Sequence, residues 1–181
     1  MKICNIWNHF STITRHRNLV RKHCFQIGLY WQGLTHDLSK YSPEEFWTGV
    51  RYYQGNRSPM RLSVRPWGIP GPGFTIRAGT STIMSIGLTF SNHKEEGLVG
   101  NKMPLRYVAE MVCDRIAACE VYKGKAYTSA APLEYYEYTK NYITIHPRTR
   151  ALLEKLLHML KDQGEEATFA YLRKLLKKGT Y

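Results

Sequence analysis

"HDLSKYSPEEF", residues 36–46, places a histidine and an aspartate directly before a helix-start signal. Ser42 and Pro43, followed by two glutamates, match an N-cap, a proline at the first helical position and acidic residues in the first turn. A new helix is therefore predicted just after the pair. The pair itself, His36 and Asp37, has two interpretations: a metal-binding site, or the polar end of the preceding helical segment.

Two further predicted helices turn polar side chains toward the core. Around residues 14–30, His16 and His23 share a face with apolar residues, because steps of three and four residues return to the same side of a helix. On the helix that opens at Pro104, Asp114 points the way the apolar residues point. Three separate segments of the chain thus direct histidine or aspartate inward.

The rest of the chain also has helical periodicity. A helix is predicted from Pro147 to Gly164, and an amphipathic helix at about 165–178 follows it. The wide apolar face of the first of these carries Leu152, Leu153, Leu156, Leu157 and Leu160. We therefore predict an all-α fold, a helical bundle in a single domain that spans residues 1–181.

Length and composition are consistent with a single soluble domain. The chain has 181 residues, of which 43% are hydrophobic, enough for one core. No apolar run approaches the roughly 20 residues that span a bilayer, and the start MKICNIWNHF lacks the apolar region of a signal peptide. We expect a cytoplasmic protein without membrane contact. The four cysteines are far apart and form no CxxC pair, which favours reduced thiols.

The charge balance points to an anionic partner without identifying one. A net charge of +12 suits nucleic acid or a phosphorylated metabolite. The basic residues are scattered, however, and their one cluster lies in the tail at 173–178. A solvated helix face explains that cluster more simply than a nucleic-acid site.

Residues 60–90 differ in composition from both of their neighbours. The stretch contains no Asp, Glu, Lys or His, and it has no sustained helical or alternating pattern. A loop of that length is improbable inside a compact domain. We therefore treat it as an irregular, anomalous segment that needs its own explanation.

The inward-facing polar residues have metal-binding chemistry. Imidazole nitrogens and carboxylate oxygens from His16, His36, Asp37 and Asp114 suit Zn, Fe, Mn or another divalent ion. A metal held in this way lowers the pKa of bound water and makes it a nucleophile. The alternative is that each group is a hydrogen-bonded core residue, and spacing alone leaves both interpretations open. His23 is the reserve ligand because it shares a face with His16.

The order H…HD…D, carried by "HRNLV", "HDLSKY" and "DRIAA", resembles the HD-domain superfamily of metal-dependent phosphohydrolases, which are all-helical. That resemblance implies His16, His36, Asp37 and Asp114 as metal ligands, and it implies Lys40 as a cation that supports the site or faces a phosphate. More narrowly, "TRHRNLV", "GLTHDLSKYSPEEF" and "KMPLRYVAEMVCDRIAA" are similar to a family of small proteins of unknown function. That closer similarity covers nearly everything except residues 60–90.

In the narrower family the middle segment resembles W-x-H-H-x-G-R-N-K-H-H-x-E-Y-W, whereas residues 60–90 contain no histidine. Residues 73–90 can be back-translated with permitted codons and read in a shifted frame that starts at the third base of Gly73. This frame encodes VYHQGRNKHHYEYWTDF without a stop codon. Each codon is selected from its synonyms, so the result shows that the protein sequence is compatible with a shifted frame. Our hypothesis is that residues 60–90 are translated out of frame. Intact relatives would then carry enough histidines for two metals.

We therefore predict an HD-like, metal-dependent phosphohydrolase that acts on a phosphoester, impaired if the central histidines are lost. Asp37 and Lys40 are the predicted catalytic residues, and a phosphorylated small molecule or nucleotide is the expected substrate. A dinuclear iron oxygenase of the same superfamily is one alternative. A helical binding protein without catalytic activity is the other.

Overall fold

Six α-helices contain most of the residues described by the computed structural model, which covers residues 3–55, 88–90 and 98–181. The helices are α1 (Ile3–Gln26), α2 (Tyr30–Thr35), α3 (Pro43–Arg51), α4 (Leu105–Lys123), α5 (Ala131–Thr139) and α6 (Pro147–Lys178). Short 3₁₀ helices lie at Leu38–Tyr41, Gly124–Ala126 and Lys140–Tyr142. The predicted all-α class is confirmed.

One short strand pair was not predicted from the sequence. Strand β1 (Leu88–Phe90) pairs antiparallel with β2 (Leu98–Gly100), and Thr89 lies opposite Val99 at its centre. The predicted irregular segment at 60–90 otherwise lies outside the described residues.

Helix α3 begins where the sequence predicted. Pro43 is its first residue, and the side chain of Ser42 accepts a hydrogen bond from the backbone N–H of Glu45 at 3.4 Å. This bond satisfies one of the N–H groups that a helix leaves free in its first turn. The cap therefore fixes where the chain turns from the His36–Asp37 pair into α3.

The apolar core lies where α4 packs between α1 and α6. The predicted leucine face of α6 is confirmed, since Leu153, Leu156, Leu157 and Leu160 are completely buried. Full burial of one such side chain stabilises the fold by about 1.5–3 kcal/mol. This apolar cluster also takes in α1 and α4, the two helices that carry His16 and Asp114.

Gly164 separates two helical segments within α6. Its backbone angles, φ 79° and ψ −177°, leave the helical region, and a glycine adopts them easily because it has no Cβ. The hydroxyl of Thr168 donates to the carbonyl of Gly164 at 2.8 Å, in the first turn after this break. The predicted helix end at Gly164 is therefore seen as a break in α6.

All four cysteines are free thiols; Cys24 and Cys113 are buried and Cys4 is exposed. Within the described part of the chain, no helix combines the length and the apolar character needed to cross a membrane.

Candidate metal centre

Three segments deliver the predicted ligands to one place. His16 lies on α1, Asp114 lies on α4, and His36 and Asp37 form the connection between α2 and the first 3₁₀ helix. At Asp37 the backbone takes the left-handed conformation, with φ 55° and ψ 21°. Among larger residues, aspartate and asparagine tolerate this conformation best. The turn brings two consecutive side chains, His36 and Asp37, to the same cluster.

Two imidazole nitrogens face two carboxylate oxygens in this cluster. Nε2 of His16 lies 2.9 Å from Oδ1 of Asp114 and 3.4 Å from Oδ2 of Asp37. Nε2 of His36 lies 3.4 Å from the same oxygen of Asp114 and 3.5 Å from the same oxygen of Asp37. One potential ligand atom each from His16, His36 and Asp114 lies within 4.8 Å of the other two. All four residues singled out from the sequence thus converge.

Without a metal, the cluster holds charged groups of both signs. Burial lowers the pKa of His36, but its contacts with Asp114 and Glu110 and the charge of Asp37 outweigh burial and raise that pKa to about 10. Contacts with the two aspartates likewise outweigh burial at His16 and raise its pKa. Burial opposes the ionisation of Asp37, yet the charge of Lys40 and the histidines lower its pKa. Protons on the imidazoles therefore balance the carboxylates, and a bound cation would replace those protons.

Lys40 places a cation against this cluster. Its ammonium group contacts Oδ2 of Asp37, three residues earlier, across one turn of the 3₁₀ helix. The oxygen that Lys40 contacts is also the one that faces both histidines. The side chain of Lys40 is 33% exposed, so it lies at the edge of the site and not in the core.

The two ring nitrogens of His36 have different surroundings. Nδ1 lies 2.9 Å from Oε1 of Glu110, whereas the buried Nε2 makes no hydrogen bond that meets normal geometry. Buried polar atoms almost always have a partner, so an orphan such as this one calls for an explanation. A nitrogen that coordinates a metal is one, and nitrogen and oxygen donors in this mixture fit Zn, Mn or Fe.

Sequence reasoning missed Glu110. It lies four residues before Asp114, so the two carboxylates share one face of α4. That spacing was the available signal. What the spacing could not indicate was the contact with His36, which is 74 residues away in sequence.

The reserve ligand His23 is not brought to the cluster. Its Nε2 lies 2.8 Å from Oε2 of Glu120 and its Nδ1 lies 3.3 Å from Oε1 of Gln26. Both ring nitrogens therefore have oxygen partners. Seven residues separate His16 from His23, about 10 Å along an α-helix, so the two share a face but lie at different heights.

Comparison with protein families identifies a match over two segments of the chain. The model of a family of unknown function, DUF5662, matches residues 5–65 and 90–159 and leaves the stretch between them unmatched. No curated protein and no solved structure matched.

Proposed function

This chain belongs to the DUF5662 family of unknown function, and we propose that it is a metal-dependent phosphohydrolase. One observation carries the proposal: the orphan Nε2 of His36 faces carboxylate oxygens of Asp37 and Asp114. The resemblance to the HD-domain superfamily supports it, because the same order of residues holds the metal there. The proposed ligands are His16, His36, Asp37 and Asp114.

The donor set favours a divalent transition ion. Two imidazole nitrogens and two carboxylate oxygens suit Zn, Mn or Fe better than Mg, which prefers oxygen ligands alone. Such an ion, when bound, supplies a water of lowered pKa that can attack phosphorus. The two carboxylates balance the charge of a divalent ion, so Lys40 remains as one positive charge beside the site.

Lys40 gives the site its preference for a phosphoester. Its ammonium group lies against Asp37 and its side chain is 33% exposed. We propose that this group contacts a non-bridging phosphate oxygen beside the cluster. A positive charge close to the atoms on which negative charge develops lowers the barrier to phosphoryl transfer. The net charge of +12 also draws anionic substrates toward the protein. We propose a phosphorylated small molecule or a nucleotide as the substrate.

Metal content and phosphoester hydrolysis test this proposal together. We expect the purified wild type to retain about one Zn, Mn or Fe per chain, as one cluster of this size suggests. It should also hydrolyse p-nitrophenyl phosphate or its diester analogue. The His36→Gln variant should lose both the metal and the activity, and the Lys40→Gln variant should keep the metal and lose activity. The His23→Gln variant, which changes a buried histidine outside the cluster, is the matched control.

Each negative outcome has a distinct meaning. Equal metal content in the wild type and the His36→Gln variant would overturn the metal site. Bound metal without hydrolysis of either ester would overturn the hydrolase and leave a metal-binding protein. Oxygen uptake by the iron-loaded protein would favour an oxygenase instead.

We also propose that residues 60–90 are translated out of frame. The family model leaves residues 66–89 unmatched, and these lie within the stretch of unusual composition. An independent nucleotide read across codons 55–95 is the test. A shifted frame would return a histidine cluster and make a second metal chemically feasible. A continuous frame would overturn the proposal and mark this chain as a diverged member of its family.

A further inference from the structure

Glu110 holds a buried carboxylate against the one ring nitrogen of His36 that does not face the cluster. The two atoms, Oε1 of Glu110 and Nδ1 of His36, lie 2.9 Å apart, and both side chains are buried. A buried carboxylate is costly unless it is paired. The contact therefore binds α4 to the end of α2 at the point where His36 enters the site.

This contact determines which nitrogen of His36 can coordinate a metal. When Nδ1 donates its hydrogen to Glu110, the neutral imidazole carries its lone pair on Nε2. Nε2 is the nitrogen that lies 3.4 Å from Oδ1 of Asp114 and makes no hydrogen bond. A carboxylate on the far side of the ring also makes the ligand nitrogen more basic.

A second pair, His23 on α1 and Glu120 on α4, shows the contrast. Glu120, ten residues further along α4, contacts Nε2 of His23 at 2.8 Å, and Gln26 takes the other nitrogen. His23 thus has no nitrogen free for a ligand, and its contact with Glu120 holds α1 against α4. The His36 contact differs because one ring nitrogen is left free and faces two carboxylates.

We propose that Glu110 is a positioning residue that fixes the tautomer and ring orientation of His36 for metal binding. This inference rests on the proposed metal site. Both Glu110 and Glu120 lie on α4 and contact a buried histidine. We expect only Glu110 to affect metal affinity.

The test compares Glu110→Gln with Glu120→Gln as a matched pair. The dissociation constant for Zn²⁺ is measured by chelator competition, and unfolding by urea is measured without metal. We expect Glu110→Gln to weaken Zn²⁺ binding by about 10- to 100-fold. Glu120→Gln should leave the dissociation constant unchanged. Equal constants for the wild type and Glu110→Gln, or equal weakening in both variants, would overturn the inference.

A measurement on the wild type covers the case in which Glu110→Gln fails to fold. Nitrogen-15 NMR of the Zn²⁺-loaded protein should show His36 protonated on Nδ1 and bound to metal through Nε2. The reverse assignment would overturn the inference. If the wild type binds no Zn²⁺, or the His36→Gln variant binds it equally well, the proposed metal site itself fails. A difference between the wild type and His36→Gln without one between the wild type and Glu110→Gln rejects the role of Glu110 alone.

Discussion

Helix α4 borders two regions that are built in opposite ways. One is the apolar cluster, in which Val112 and Ile116 join the leucines of α6. The other is the candidate metal centre, where Glu110 and Asp114 bring two carboxylates to two histidines. Apolar burial stabilises the fold directly, whereas buried charges cost free energy unless they are paired. One helix thus separates the region that stabilises the fold from the region proposed to carry the chemistry.

The largest effect should come from the apolar region. Replacing the completely buried Leu156 by alanine should lower the free energy of unfolding by about 2–5 kcal/mol, because lost burial and a cavity add together. Urea unfolding with and without Zn²⁺ measures this loss, which should be the same in both conditions. A loss seen only in the presence of metal would contradict the separation of the two regions.

The next effect belongs to the metal centre. Zn²⁺ at about one hundred times its dissociation constant should stabilise the wild type by about 2.7 kcal/mol, since it binds only the folded state. The Asp114→Asn variant should lose this stabilisation. Asp162→Asn changes an exposed aspartate on α6 and serves as the control. Thermal unfolding with and without Zn²⁺ measures the stabilisation of each protein. Equal stabilisation of the wild type and the Asp114→Asn variant would show that Asp114 binds no metal.

A change in pH should alter the affinity of the candidate metal centre for Zn²⁺. Contacts with carboxylates raise the pKa of His36 to about 10 and that of His16 above its ordinary 6.5, although burial opposes both shifts. Metal requires neutral imidazoles, so its binding releases protons. The dissociation constant should fall by up to about tenfold per pH unit and per proton released between pH 6 and 8.5.

The metal-free protein should respond in the opposite direction. A raised histidine pKa stabilises the fold fully below the unfolded value of 6.5, and that stabilisation is lost as the pH rises toward the folded value. Calorimetric Zn²⁺ titrations should show tighter binding as the pH rises. Urea unfolding of the metal-free protein should show lower stability over the same range. A dissociation constant that does not change with pH would show that His16 and His36 bind no metal.

The smallest effect should lie on the surface. Lys123 and Glu134 form an ion pair of 2.8 Å, but their side chains are 43% and 61% exposed. Replacing Glu134 by glutamine should leave the free energy of unfolding nearly unchanged, because solvent screens an exposed ion pair. The same urea measurement checks this expectation, and the Zn²⁺ dissociation constant should not move. A larger loss would mean that stability is not concentrated in the apolar region.

Periodicity explains how much of this arrangement could be predicted. The faces that carry His16, Asp114 and the leucines of α6 follow from steps of three and four residues, and the Ser42 cap follows from local chemistry. Periodicity gives the face of a side chain but not its height relative to another helix. For that reason His23 was predicted as a reserve ligand although it lies outside the cluster.

Contacts between helices account for what could not be predicted. Glu110 and His36 meet only because α2 ends beside α4, and no local pattern encodes that register. The strand pair β1 and β2 was missed because strands of three residues leave almost no periodic signal.

The left-handed backbone at Asp37 links mutational tolerance to chemistry. In a library randomised at this position, selection for folding alone should enrich aspartate, asparagine and glycine, since these adopt a positive φ at the lowest cost. Selection for bound metal should retain aspartate alone. The asparagine variant keeps the backbone geometry and loses the charge, so it shows the effect of losing the ligand alone. An alanine variant would combine that loss with backbone strain.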